Sequence, residues 1–85
     1  MKRFTKKIAK EIANTSFGYV LDCLMGYSDS YYDLNTETEV FEQNFEEDIK
    51  EKGFVVTDRK IEMCIEEYEK LKKSFEVFIR KKYYN

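Results

Sequence analysis

Apolar residues recur along this chain with a helical period, in four stretches separated by polar breaks. In the first, residues 2–13, Phe4, Ile8 and Ile12 share one side of a helix at about 100° per residue, with Ala9 and Ala13 alongside. Arg3, Lys6, Lys7 and Lys10 fall on the opposite side. Asn14-Thr15-Ser16 interrupts the pattern, and a helix running straight on would carry Phe17 onto the basic face. A break is therefore expected here, with Thr15 or Ser16 capping a new helix by accepting a hydrogen bond from its first free N–H groups. The new stripe is Phe17, Val20, Leu21 and Leu24 at i, i+3, i+4, i+7, with Tyr19, Cys23 and Met25 on the other sides. A segment apolar nearly all round belongs at the centre of a fold. Gly18 weakens the helix, so a strand over residues 17–21 competes with it. Gly26 suits the left-handed position that ends a helix.

Residues 27–35 read as a loop from their Ser, Asp and Asn content. The third periodic stretch covers about 37–52. Thr36 with Glu39 has the spacing of a capping box. Phe41, Phe45 and Ile49 form the buried stripe, joined by Val40, and Gly53 stops the helix. Phe54-Val55-Val56-Thr57 is an extended connector or a short strand, and Thr57 or Asp58 caps the last helix. That helix, about 58–82, is the clearest element. Ile61, Cys64, Tyr68, Leu71, Phe75 and Phe78 follow one another at spacings of 3, 4, 3, 4 and 3, a heptad seam that Ile65 and Ile79 widen. The wider stripe favours a bundle wall over an isolated coiled coil, although pairing of two chains through the 61–78 stripe stays open. Glu66–Lys70, Glu69–Lys73 and Glu76–Arg80 are i,i+4 pairs in the favourable order, and Arg80, Lys81 and Lys82 complement the negative end of the helix dipole. The fold expected is a mainly α, four-segment helical bundle in one domain over residues 1–85, with the long carboxyl-terminal helix as its wall.

Charge changes this picture more than composition does. The formal total of −2 conceals a strong segregation. Residues 1–10 hold five bases and no acid, residues 11–49 hold ten acids and no base, and residues 50–85 hold ten bases and seven acids. On the third helix the outward positions Glu39, Glu42, Glu46, Glu47 and Asp48 carry no interleaved lysine. Glu42 and Glu46 are one turn apart, and like charges at that spacing cost a few tenths of a kcal/mol. Beside them lies a cluster of aromatic and acidic residues, Tyr27, Asp29, Tyr31, Tyr32 and Asp33. Tyrosine offers large, rigid contact area at low entropic cost and is enriched where proteins meet partners. The bland alternative is that these rings fold over the edge of a small core.

Catalytic and metal chemistry find little support. Histidine is absent, which removes the usual zinc sites and Ser-His or Cys-His pairs. The two cysteines, Cys23 and Cys64, are too few for a disulfide framework and read as free thiols in a reducing cytoplasm. A calcium loop starting at Asp29 fails, because Leu34 stands where glycine is required and Val40 where the bidentate Glu belongs. The three glycines are isolated, so no phosphate-binding loop is present. No run approaches the about 20 apolar residues of a membrane span. An enzyme is not expected, nor is any cofactor.

The function expected is a non-enzymatic acidic protein-binding module. Its partner-facing residues are Tyr27, Asp29, Tyr31, Tyr32, Asp33, Glu39, Glu42, Glu46, Glu47 and Asp48. Closely spaced carboxylates on a rod imitate a nucleic-acid strand, so the natural target is a basic, nucleic-acid-handling protein. The sharpest form is an inhibitor or decoy of the kind that mobile elements or phages carry against host nucleases, an anti-CRISPR-type role. Two alternatives remain: a nucleic-acid-binding protein contacting phosphates through Arg3, Lys6, Lys7 and Lys10, and a homodimeric assembly protein.

Overall fold

A computed structural model describes residues 3–26, 32 and 35–83, with side chains described through Phe78. It is a mainly helical bundle: α1 (Lys6–Leu24), a short 3-10 helix (Thr38–Phe41) leading into α2 (Glu42–Glu51), and α3 (Asp58–Tyr83). The described residues contain no strand, and residues 54–57 form a connector without regular structure. Phe4 meets Phe54 near the start of α3 at 5.3 Å between ring centroids, while Phe17 meets Tyr68 and Phe75 further along at 5.7 and 5.8 Å. Hence α1 and α3 run parallel. The short return helix α2 runs against both.

The break expected at Asn14-Thr15-Ser16 does not occur. α1 is one helix of 19 residues, capped at Thr5, whose Oγ1 accepts from the Ile8 N–H at 3.3 Å. Thr15 caps nothing; its hydroxyl donates to the Glu11 carbonyl one turn back at 3.1 Å. Ser16 is fully buried inside the helix, and residues 17–21 are helical rather than a strand. The reason lies in which residues form the seam. Ala9, Ile12, Ala13, Ser16, Phe17 and Val20 are the buried positions, spaced 3, 1, 3, 1 and 3, an unbroken helical stripe. A row spaced by four drifts by about 40° per step, so extrapolating from Phe4, Ile8 and Ile12 leads away from this seam. Small side chains at its centre let α3 approach closely, and the Phe17 ring then reaches Tyr68 and Phe75 from the seam's edge. The far end of α1 is not central either: Tyr19, Leu24 and Met25 are exposed. Gly26 ends the helix as expected, at φ +80°.

The stripe of α2 follows the expectation. Phe41, Phe45 and Ile49 are each 0 % exposed, and burying a side chain of this size contributes about 1.5–3 kcal/mol. Val40 departs from it and is exposed, because it sits on the 3-10 helix, where the period differs. The Thr36–Glu39 capping box is not adopted. The residue preceding the 3-10 helix is Glu37, whose side chain makes no capping bond. Thr38 instead turns inward, is buried, and donates its hydroxyl hydrogen to Glu69 of α3. Gly53, at φ +89°, lets the chain turn, and the Phe54 N–H donates to the Ile49 carbonyl at 3.1 Å.

Thr57 caps α3, its Oγ1 accepting from the Lys60 N–H at 3.3 Å. Cys64 and Tyr68 are buried, and Ile61, Ile65, Leu71 and Phe75 pack around the core. Tyr68 is the hub, ringed by Phe17, Phe41 and Phe45. Phe78 lies on the same stripe yet is exposed, because the short α2 runs out before that level. The expected i,i+4 ion pairs rearrange. Lys70 pairs with Glu67 at 2.8 Å, Glu66 lies 3.7 Å from Arg59, and Glu69 serves Thr38. The Glu76–Arg80 pair, Ile79, and the basic end Arg80, Lys81 and Lys82 involve side chains outside the described ones, as does the Tyr83-Tyr84-Asn85 tail. No helix of the described residues is long and apolar enough to cross a membrane.

Candidate functional site

The acids of α2 do not share one face. With Phe45 and Ile49 turned inward, about 100° per residue puts Glu42 and Glu46 on one flank of that stripe and Asp48 on the other. Glu47 points directly away from the core, and Glu39 is exposed on the preceding 3-10 helix. None of the five forms an ion pair with a described cation. Four acids elsewhere are matched, Glu11 with Lys52 at 3.3 Å, Glu62 and Glu66 with Arg59, and Glu67 with Lys70, whereas Asp22, Glu37, Glu51 and Asp58 pair with no described cation. Partial burial raises the Asp48 carboxyl above the usual carboxylate range, with Glu51 and Glu47 adding to the effect and Lys52 opposing it.

The flank bearing Glu42 and Glu46 is where α2 and α3 meet. Together with Asp58 and Glu62 of α3 they line a groove of about 310 Å³ whose remaining walls are Ile61 and Ile65. Two of these acids have a local reason to be there, since Glu42 and Asp58 occupy first helical turns, where the dipole favours negative charge. Glu62 lies 3.6 Å from Arg59 on its own helix, and Glu46 alone has neither a dipole nor a described cation beside it. The helical period alone places Ile61 and Ile65 on the core side, offers Asp58 only as a cap and gives Glu62 no role. The available signal was that Ile65 lies off the heptad seam, with Asp58 and Glu62 one turn apart beside it.

The aromatic flank is only partly visible. Tyr32 is half-buried, its ring 5.0 Å from that of Phe41, so it packs on the core edge. Tyr27, Asp29, Tyr31 and Asp33 lie outside the described residues. On the basic segment, Arg3, Lys6, Lys7 and Lys10 are all exposed. Arg3 borders a second cleft of about 440 Å³ with Ile8, Glu11, Glu51, Lys52 and Phe54. Mixed charge lines that cleft, and the Lys52–Glu11 bond crosses between its helices. The stripe offered for chain pairing is largely spent inside the molecule from Ile61 to Phe75.

No group of three or more His, Cys, Asp or Glu among the described residues is placed to hold a metal ion. Cys64 is buried, and its thiol is pushed up to about 11 by burial and then by Asp48, which keeps it protonated and unreactive at neutral pH. In comparisons with known proteins, no family model, curated protein or solved structure matches the chain.

Proposed function

We propose that this chain is a non-enzymatic, cytoplasmic protein-binding module that captures a basic, nucleic-acid-handling protein through the acids around α2, as its inhibitor or nucleic-acid-mimicking decoy. The observation that carries the reading is the run of unpaired charge on and just before α2. Glu39, Glu42, Glu46, Glu47 and Asp48 have no cation of their own chain within 4.0 Å among the described residues, and Glu37 and Glu51 extend that run at its two ends; Glu11, Glu62, Glu66 and Glu67 are paired, while Asp22 and Asp58 are not. Unmatched like charges oppose folding slightly, and a positive surface brought from outside relieves them. Carboxylates of this kind steer encounter and select partners more than they tighten binding. The interaction should therefore weaken as salt rises.

Affinity capture from the native host's lysate, with and without nuclease, tests this reading. Glu42→Lys together with Glu46→Lys should leave the far-UV circular dichroism unchanged and abolish capture of a basic protein. Capture that survives the double reversal removes these acids from the interface. Capture that instead disappears with nuclease transfers the role to nucleic acid and to Arg3, Lys6, Lys7 and Lys10.

A further inference from the structure

The groove between α2 and α3 has three rows with one period. Glu42 and Glu46 form one rim, Asp58 and Glu62 the other, and Ile61 and Ile65 lie between them. Each pair is four residues apart, about 6 Å along its helix axis. Acid, aliphatic, acid is thus repeated at the pitch of an α-helix. Both isoleucines are half-buried against the core, so part of each side chain remains open to an occupant. Among the described residues no cation lines the groove, although Arg59, just outside it, lies 3.6 Å from Glu62, so the unpaired charge is that of Glu42, Glu46 and Asp58.

We infer that this groove takes a basic amphipathic α-helix of the protein partner, with aliphatic side chains at i and i+4 seated on Ile61 and Ile65 and Lys or Arg along both flanks. The inference rests on the acidic-module reading and adds what the partner presents. Charge complementarity selects the flanks, and the aliphatic floor selects the stripe between them. Helix-in-groove recognition uses one-turn-spaced apolar anchors in this way. A basic extended tail would engage the rims and leave the isoleucines idle. A basic helix with the matching stripe satisfies all three rows at once.

The test uses the full chain and two synthetic peptides of identical composition. One is an Ala-based helix with Leu at i and i+4 and Lys on both flanks; in the other the leucines are moved to the opposite face. Binding is read by fluorescence anisotropy and by amide chemical-shift changes. The first peptide should bind about tenfold more tightly, equivalent to about 1.4 kcal/mol, with shifts concentrated at Glu42, Glu46, Asp58, Ile61, Glu62 and Ile65. Glu46→Gln with Glu62→Gln should weaken both peptides. Ile65→Thr should narrow the gap between them, with its circular dichroism checked against the parent chain. Equal affinity for the two peptides, or shifts centred elsewhere, overturns the helical occupant while leaving the acidic-module reading intact. Failure to bind either peptide, in a chain that still captures a basic protein through Glu42 and Glu46, overturns it as well. Loss of all capture defeats both readings.

Discussion

Ser16 offers a measurement on which two accounts of α1 predict opposite signs. Within the continuous helix Ser16 is fully buried, and its hydroxyl has no hydrogen-bond partner among the described residues. Leaving a buried polar group unsatisfied costs about 1–3 kcal/mol, and alanine exceeds serine in helix propensity by a few tenths of a kcal/mol. Removing one oxygen opens little space, so Ser16→Ala should stabilise the protein by about 1 kcal/mol or more. For 85 residues, an unfolding entropy of about 2.1 cal/mol/K per residue gives about 180 cal/mol/K, so that gain raises Tm by about 6 °C. If Ser16 instead capped a second helix, the same substitution would remove a capping bond and cost about 1 kcal/mol. The two accounts thus differ by about 12 °C. Thermal unfolding followed at 222 nm, at matched concentration and with reversibility checked, separates them, and a lowered Tm would refute the buried, unsatisfied hydroxyl.

Gly18→Ala should also stabilise, by about 0.5–1 kcal/mol, because a methyl group there meets nothing within 4 Å; a loss in a chemical denaturation curve would contradict this. Phe45→Ala should cost about 3–5 kcal/mol, most of what so small a domain has, while exposed Val40→Ala should stay within about 0.5 kcal/mol. Comparable losses at both sites would mean the burial assignment is wrong. Thr38→Val should cost about 1 kcal/mol by removing the donor to Glu69, discounted because water can reach that carboxylate; Thr38→Ser should recover most of it in urea titrations. Burial raises the Cys64 thiol from 9.0 to about 11 and the Tyr68 phenol from 10.0 to about 12, with Asp48 and Glu69 respectively adding to it. The folded chain therefore keeps protons that the unfolded chain releases, so stability is intact below about pH 9 and declines as pH climbs through the two raised values. Urea midpoints at about pH 8 and about pH 10.5 should show this fall, and an unchanged midpoint would sink it.

Much of the fold was legible in the residues themselves. Phe41, Phe45 and Ile49 are spaced four apart with no competing stripe, and each is buried. The heptad from Ile61 to Phe75 announced the wall helix, and Gly26 and Gly53 take the left-handed conformations that end α1 and α2. The candidate acids were visible as unmatched charge, because pairing on one helix depends only on spacing. Periodicity is a property of a single segment, and these features needed nothing more.

Other features depended on neighbours. Ala9, Ala13 and Ser16 look unremarkable until α3 approaches; their small size then makes them the seam of one long α1, and the apparent break vanishes. Leu24 and Phe78 sit on helical stripes but stay exposed because α2 is too short to reach them, a fact about another element's length. Likewise, only the rotation of α2 against α3 brings Glu42 and Glu46 beside Asp58 and Glu62, while sending Glu47 outward and Asp48 to the opposite flank. A local pattern states which side of a helix is apolar. How closely two helices approach, and at what rotation, is set by all the contacting side chains together, and that arrangement turned separated acids into the walls of a groove.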